Sequence, residues 1–365
     1  MKLSDFDYAL PRGRIAQRPL ANRCAARMLV VERAGDGLED RTFRELADVL
    51  RGDELLVINN TKVLPARLFG RRRGVRAEKP GKRSRGFLSA EIEVLLTRQV
   101  ETDVWEALVR PGRKMRLGER VVFGEEELEA EVIERGGYGL RRLRLTARGG
   151  VMKAIERLGH MPLPPYIERA DDAADRDDYQ TIFAREIGAV AAPTASLHFT
   201  TEIIEKLRSR GVQICEITLH IGLGTFQPIH SEDLEQHRMH SEACEISESA
   251  AEAIRGAKRS GRAVLAAGTT VVRALEDAAA RAEETAREGG EELLQSGKAE
   301  AKIFIRPGHQ FRVVDQLLTN FHLPKSSLLV LVCAFAGRER VLRAYEHAIA
   351  QKYRFYSYGD CMLIR

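Results

Sequence analysis

The feature that most restricts the fold of this chain is a change of pattern between residues 62 and 150. Short apolar or alternating runs such as AEIEVLL and LEAEVIE follow one another there, separated by turn signals such as RPGR and RGGYG, with almost no helical periodicity. Such a series is typical of a small barrel or sandwich. The sequence therefore predicts an all-β, barrel-like domain over 62–150, inserted into a second domain made of 1–61 and 151–365.

The second domain is predicted to be α/β, with a mixed sheet or an open barrel flanked by helices. Strand-like and helix-like segments alternate in it, including EITLHIG, a helix near 247–259, RAVLAAG and a helix that begins near Thr270. Two N-terminal strands, 27–33 and 54–59, are expected with a helical stretch between them. Residues 278–300 are predicted to be a solvated helix end and a loop, and the chain is expected to end in two helices and a strand-like FYSYGDCMLI.

Charge is unevenly distributed over the 365 residues. The whole chain carries a formal charge of +5, but residues 62–150 hold 21 Lys and Arg against 13 Asp and Glu, a net charge of +8. Much of this excess lies in RRRGVRAEKPGKRSRG, 71–86, which has no periodicity and is predicted to be a long exposed loop. A basic insert beside a mildly acidic domain suits a nucleic-acid partner, although it does not require one.

Several protein classes are disfavoured by composition. The fractions of apolar and charged residues exclude a collagen-like, coiled-coil or disordered chain. The odd cysteine count, long spacings and lack of CxxC predict reduced thiols. The acidic, proline-broken N-terminus is not a signal peptide, and the longest apolar run, Leu328–Ala336, is too short to span a bilayer. The sequence predicts a cytoplasmic protein that does not enter a membrane.

Four segments crowd glycine, hydroxyl, histidine and aromatic residues outside any helical or strand period. They are APTASLHFT (192–200), TLHIGLGTFQP (218–228), AAGTTVVRALE (266–276) and TNFHLPKSS (319–327). Glycines let backbone amides approach a ligand, and the edge where strands end is the usual ligand site of α/β domains. Each segment alone is also explained by a turn or a helix N-cap. Together they predict a ligand site.

Two further patterns have competing explanations. The spacing HxxxxxxHxxH at 230–240 suggests zinc, but it lacks the HExxH arrangement, so no metal site is predicted. YRFYSYGD, 353–360, interleaves arginine with aromatic rings that could stack on bases, although a strand facing the core is the commoner explanation. The chain has no GxGxxG after a strand, no GxxxxGK[ST] and no GxSxG, which disfavours three large enzyme classes.

The ordered motifs resemble one family nearly from end to end, the S-adenosylmethionine:tRNA ribosyltransferase-isomerases of queuosine biosynthesis. The resemblance is carried by DFDYALP, NNTKVLPARLFG, LGHMPLPPYI, DDYQTIFA, AAPTASLHFT, TLHIGLGTFQPI, HRMHSE, AGTTVVRALE, IFIRPGHQF, TNFHLPKSSLL and YRFYSYGD. It implies an α/β domain with an inserted β-barrel. It also implies transfer and isomerisation of the ribosyl group of S-adenosylmethionine onto 7-aminomethyl-7-deazaguanine at the wobble position of a tRNA with a GUN anticodon. The products would be epoxyqueuosine-tRNA, adenine and methionine. S-adenosylmethionine is then a consumed co-substrate, with no prosthetic group, and the enzyme is expected to be a monomer.

This resemblance implies roles for particular residues. The acid/base groups are expected to be among His198, His220, His322 and Asp360, and the sequence does not single out the base. The residues expected to bind S-adenosylmethionine are Thr194, Gly222, Gly224, Thr225, Phe226, Gly268, Thr269, Thr270 and Arg273. Those expected to contact tRNA are Lys325, Arg354 and Tyr356 near the base, with Arg71, Arg72, Arg73, Lys82 and Arg83 on the phosphate backbone.

The chain departs from the family pattern at several positions. Ser196 stands where glycine is usual and would restrict a turn of positive φ, and Lys62 stands where an arginine could form a bidentate contact. Asn60, Phe183 and His309 also differ, and the loop near 71–88 is longer than usual. Two other functions remain open, a zinc hydrolase using the histidines of 230–240 and a non-catalytic RNA-binding module using the basic insert.

Overall fold

We describe the chain from a computed structural model, which covers residues 1–73, 88–137, 139–222, 229, 231–286 and 293–365, with the backbone alone at 88–90. The strands are β1 Arg27–Val31, β2 Leu38–Thr42, β3 Leu55–Asn59, β4 Thr61–Val63, β5 Arg67–Arg73, β6 Leu88–Glu101, β7 Val104–Arg110, β8 Arg120–Phe123, β9 Leu128–Arg135, β10 Leu140–Ala147, β11 Glu186–Ala189, β12 Gln213–Leu219, β13 Glu242–Ile246, β14 Val264–Ala267, β15 Gly297–Ala301, β16 Gln316–Asn320 and β17 Cys361–Ile364. The helices are α1 Leu46–Val49, α2 Val151–Leu158, α3 Asp175–Asp178, α4 Thr201–Ser209, α5 Glu248–Arg259, α6 Thr269–Ala286, α7 Ser327–Ala336 and α8 Arg338–Ala350.

Nine strands form one mixed sheet in the order β15-β13-β12-β3-β14-β16-β17-β1-β2. Neighbours among β12, β3, β14 and β16 are parallel, so their carboxyl ends lie at the same edge. Strand β17 runs antiparallel to β16 and parallel to β1, which brings the segment that precedes Cys361 to that edge as well. The segments that follow β12, β14 and β16 in sequence therefore meet the loop 353–360 at one edge of the sheet.

Both faces of this sheet are covered, because apolar residues in its central strands point alternately to two cores. Val57 packs in a cluster with residues of α5, α6, α7 and α8, whereas Leu56 and Ile58 pack in a second cluster with α1 and α4. Continuous apolar strands such as LLVIN are the expected sequence of a parallel strand buried on both sides. The predicted mixed sheet flanked by helices is confirmed.

The inserted segment forms a closed antiparallel barrel of six strands, in the order β10-β7-β6-β5-β8-β9. Its core is lined by the apolar half of each alternating strand, for example Ile92, Val94 and Leu96 of β6. The barrel-like insert predicted from that alternation is confirmed. Helix α2 also contributes Ala154 and Ile155 to the barrel core.

Local structure differs from the sequence predictions in two places. A strand, β2, precedes the helical stretch expected between the first two strands, because Leu38–Thr42 pairs with β1 as a hairpin. The aromatic segment 353–360 is largely a loop rather than a strand, and β17 begins only at Cys361. In the described part of the chain, no helix combines the length and the apolar character needed to cross a membrane. All five cysteines are unpaired thiols.

Candidate active site

An open pocket of about 670 Å³, part of it solvent space, lies at the edge where β14 and β16 end. The side chains that line it are neutral and include many hydroxyl groups, with two tyrosines and one histidine. The lining residues are Tyr166, Ala192, Pro193, Thr194, Ala195, Ile221, Gly268, Thr269, Thr270, Thr319, Asn320, Phe321, His322, Leu323, Ser326, Leu328, Tyr356 and Ser357. All four segments singled out in the sequence therefore contribute to one pocket.

The residues after β14 present a helix N-terminus to this pocket. Gly268 has a φ of 103°, a conformation that glycine adopts without strain, and α6 starts directly after it. Thr269 and Thr270 are buried, and the hydroxyl of Thr270 has no hydrogen-bond partner among the described residues. An 18-residue helix with free amides and hydroxyls at its N-terminus favours an anionic group of a ligand.

His322 is the titratable group of the pocket. It is buried, and its Nε2 lies 2.8 Å from the hydroxyl of Thr319. Its backbone is fixed on both sides, since its amide donates to the Tyr345 hydroxyl at 2.9 Å and its carbonyl accepts from the Tyr8 hydroxyl at 2.5 Å. Burial lowers the pKa of His322 to about 3, so the imidazole is neutral near pH 7 and able to accept a proton.

Asn320 connects this pocket to its surroundings, although sequence analysis did not select it. Its side-chain amide donates to Nε2 of His198 at 3.4 Å and to the carbonyls of Tyr356 at 3.0 Å and Asp360 at 3.4 Å. Its Oδ1 is buried without a partner in the described part of the chain. A polar residue that ends the buried strand QLLTN is the sequence signal that could have identified it.

The other three predicted acid/base residues do not line this pocket. His198 lines a smaller neighbouring pocket with Arg23 and Tyr358, and burial, with Arg23 nearby, lowers its pKa to about 4. The Asp360 carboxylate accepts from the backbone amides of Arg27 at 2.9 Å and Arg354 at 2.7 Å, and burial raises its pKa. Asp360 thus ties the start of β1 to the aromatic loop.

His220 lies beyond the end of β12, outside both pockets. Its Nδ1 is 2.8 Å from the hydroxyl of Thr61, and burial lowers its pKa. The ring packs directly on Gly188 of β11, where a Cβ atom would come within 2.7 Å of Nδ1. The backbone of β11 therefore sets the position of His220 through a close approach that only glycine permits.

This contact gives a stability prediction with a matched control. Replacing Gly188 by Ala forces the imidazole to move, and overpacking of this kind costs about 1–3 kcal/mol. Gly256 lies inside α5, and a methyl group added there would meet nothing within 4 Å, so Gly256→Ala is expected to stabilise by about 0.5–1 kcal/mol. Urea unfolding of both variants measures the difference, and equal effects would show that His220 is free to shift.

Arg273 is held by the protein rather than directed at the pocket. Both it and Glu242 are buried, and its guanidinium forms an ion pair with Glu242 and hydrogen bonds to the carbonyls of Ala301 at 3.4 Å and Ile303 at 3.4 Å. The other Glu242 oxygen accepts from the amide of Gly222 at 3.1 Å. Arg273 therefore positions the turn at Gly222 through Glu242. Gly224, Thr225 and Phe226 fall outside the described residues.

The predicted tRNA contacts have different surroundings. Tyr356 is buried against Tyr166, with ring centroids 4.6 Å apart, and has a φ of 71°, which is strained for a residue with a side chain. Lys325 is exposed and pairs with Asp7 at 2.8 Å, and Arg354 donates to the carbonyl of Arg18. Tyr353, Phe355 and Tyr358 are buried, so the aromatic segment packs mainly in the interior.

Basic residues at the start of the predicted loop are mostly engaged within the barrel. Arg72 donates to the carbonyl of Lys114 at 2.7 Å, and Arg73 lies 3.8 Å from both Glu126 and Glu129. Arg71 is exposed. Lys82 and Arg83 fall outside the described residues, as does most of the predicted loop.

The geometry resolves one concern raised by the sequence. Ser196 lies in the 3-10 helix Thr194–His198 and is not among the residues with positive φ, so the expected restriction of a turn there is wrong. Among the described residues, no cluster of three or more His, Cys, Asp or Glu is arranged to hold a metal, and His230 lies outside them.

Comparisons with known proteins match this chain over nearly its whole length. The model of the family described as queuosine biosynthesis protein matches residues 3–364. The chain is 52% identical to the S-adenosylmethionine:tRNA ribosyltransferase-isomerase of Solibacter usitatus and 48% identical to that of Symbiobacterium thermophilum, each over all of both chains. It is also similar to the crystal structure of S-adenosylmethionine tRNA ribosyltransferase from Thermotoga maritima, with 35% identity, a TM-score of 0.51, and coverage of 99% of this chain and 100% of that one.

Proposed function

The chain belongs to the queuosine biosynthesis protein family, and on that premise we propose that it is an S-adenosylmethionine:tRNA ribosyltransferase-isomerase. Its substrates are S-adenosylmethionine and a tRNA with a GUN anticodon carrying 7-aminomethyl-7-deazaguanine. Its products are epoxyqueuosine-tRNA, adenine and methionine. We propose that it acts as a monomer in the cytoplasm and consumes S-adenosylmethionine without a prosthetic group.

The observation that carries this proposal is the neutral, hydroxyl-rich pocket with His322 in its wall. The N-terminus of α6, with Thr269 and Thr270, suits the carboxylate of the methionyl group. The faces of Tyr166 and Tyr356 suit the sulfonium, because aromatic faces attract cations. The Oδ1 of Asn320 and the hydroxyl of Thr270 are buried without a partner among the described residues, and we propose that the ligand supplies one.

His322 is the base in the reaction that we propose. The sulfonium makes the adjacent ribose C–H acidic, and His322 takes that proton as the ring opens and the bond to adenine breaks. Deprotonation of the sulfonium substrate makes it neutral while His322 becomes cationic, so the pocket holds one positive charge throughout. The imidazolium then supplies the proton that adenine needs as it leaves. Attack by the aminomethyl nitrogen forms a C–N bond as the amine loses its protons to solvent. Closure of the epoxide accompanies cleavage of the C–S bond to the sulfonium, whose electron pair stays with sulfur as methionine leaves.

Direct product analysis tests this function. Incubation with S-adenosylmethionine and precursor-containing tRNA is expected to release adenine and methionine in equal amounts, one of each per modified tRNA. Release of S-adenosylhomocysteine would instead indicate methyl transfer. Binding of tRNA with no adenine released would favour the RNA-binding module, and zinc bound to the purified protein would revive the hydrolase alternative.

A further inference from the structure

A second pocket, of about 720 Å³ including space open to solvent, lies on the barrel, and half of its lining is arginine. It is formed by the end of β7, the turn that follows it, and the turn between β9 and β10. The lining residues are Val109, Arg110, Gly112, Arg113, Arg135, Gly136, Gly139 and Arg141. Tyr138, in the same β9–β10 turn, is outside the described residues.

Arg141 forms the buried floor of this arginine pocket. Its guanidinium donates to the carbonyls of Gly112 at 2.6 Å, Met115 at 2.8 Å and Leu140 at 2.7 Å, which fixes the two turns against each other. No carboxylate in the described chain pairs with it. Burial, with Arg135 nearby, lowers the pKa of Arg141. A buried cation without a counter-charge favours binding of an anion.

The rim of the pocket adds charge that is also uncompensated. Arg110, Arg113 and Arg135 are exposed and form no ion pair with any described residue. Some arginines on the barrel surface are neutralised by neighbouring strands: Arg98 by Glu106, Arg120 by Glu129, and Arg142 by Glu134. Others are exposed without an ion pair in the described chain, and the pocket brings three of these together around the buried Arg141.

Two neighbours of the pocket favour RNA over a small anion. Arg72 donates to the carbonyl of Lys114 at 2.7 Å, which holds the end of β5 against the turn that carries Arg113. In the strand register, Arg110 lies opposite Glu93, and Glu93 lies opposite Phe69, whose side chain is 41% exposed. An exposed ring near a basic groove is typical of surfaces that contact a nucleic-acid strand.

We propose that the arginine pocket is a binding site for backbone phosphates of the substrate tRNA, apart from the pocket that holds the reacting base. A guanidinium group can donate two parallel hydrogen bonds to phosphate oxygens. Backbone carbonyls already hold the guanidinium of Arg141 in place, so its positive charge faces an anion without further loss of side-chain freedom. The site rests on the proposed function, because tRNA is the RNA that this enzyme would act on. It adds a contact that orients the tRNA body on the barrel.

A charge-reversal pair with a matched control tests this site. Arg113→Glu/Arg135→Glu is compared with Arg144→Glu/Arg148→Glu, which makes the same charge change at exposed barrel positions outside the pocket. The pocket variant is expected to weaken tRNA binding by about 10–100-fold and to reduce the slope of log Kd against log salt by about 2. The control should change Kd by less than about threefold. Thermal unfolding confirms that both variants fold.

The outcomes separate this inference from the proposed function. If the wild-type enzyme releases adenine but both variants bind tRNA equally with equal salt slopes, the phosphate site is wrong and the function stands. If inorganic phosphate binds the wild type and not the pocket variant while tRNA affinity is equal in both, the pocket binds a free anion and the proposal is overturned. No adenine release by the wild type contradicts the proposed function itself.

Discussion

Replacing His322 by Ala or Gln should slow release of adenine from S-adenosylmethionine by about 10²–10⁴-fold, the usual contribution of a positioned general base. The effect is expected in kcat, with the KM for S-adenosylmethionine changed by less than about fivefold, because the remaining pocket wall consists of other side chains. Single-turnover adenine release with saturating precursor tRNA measures it. Gln keeps a polar group of similar length, so it separates loss of the base from collapse of the pocket.

The pH profile gives an independent check on this assignment. A base whose pKa is lowered from 6.5 to about 3 keeps its proton-accepting form as pH falls, so the acid limb of kcat should lie below about pH 5. A limb near 6.5 would point to an exposed histidine instead. His347→Ala, on α8 and paired with Asp40, is the control and should leave kcat unchanged. Near-normal release by both His322 variants would remove His322 from the mechanism.

The same buried histidines should make folding stability depend on pH. The pKa values of His198 and His322 are lowered in the folded protein, so the unfolded chain binds more protons between about pH 6.5 and 4. The free energy of unfolding is therefore highest above about pH 6.5 and decreases as the pH falls through that range. This loss accompanies the catalytic test, so rates at low pH need a parallel measurement of the folded fraction.

The hydrophobic periodicity and the turn residues that interrupt it were sufficient to predict the architecture. Alternation in segments such as AEIEVLL produced strands of a closed barrel because one side of each strand faces its core. Thr194, Gly268, Thr270 and His322 could be grouped from sequence because each follows or borders an element that ends at one edge of the sheet. Their roles toward the substrate stay predictions.

Contacts between distant segments could not be read from local pattern. Asn320 meets His198 across 122 residues, and nothing near either residue encodes that approach. The aromatic alternation of 353–358 predicted a strand, but positive φ at Tyr356 and packing of its neighbours in the interior produce a loop. Arg273 sits one turn into α6, where the sequence leaves open whether it faces a ligand or a carboxylate 31 residues away.

Loss of Arg273 should cost substantial folding stability, because its guanidinium pairs with the buried carboxylate of Glu242. Arg273→Met removes one member of this buried pair, a change that typically costs about 3–5 kcal/mol. Arg41→Met, which breaks the exposed pairs with Glu39 and Glu45, should cost at most about 1 kcal/mol and serves as the control. Denaturant unfolding of both variants measures the contrast.

The double variant decides whether the pair or the arginine alone matters. Arg273→Met/Glu242→Leu removes both charges, so it should be more stable than Arg273→Met, with a coupling free energy of about 2 kcal/mol or more. It also frees the amide of Gly222, because Glu242 is the acceptor of that amide. The KM of the double variant for S-adenosylmethionine should therefore stay above the wild-type value, even where its free energy of unfolding recovers. Recovery of both stability and KM would mean that the turn at Gly222 holds its position without this ion pair, and that Arg273 serves folding alone.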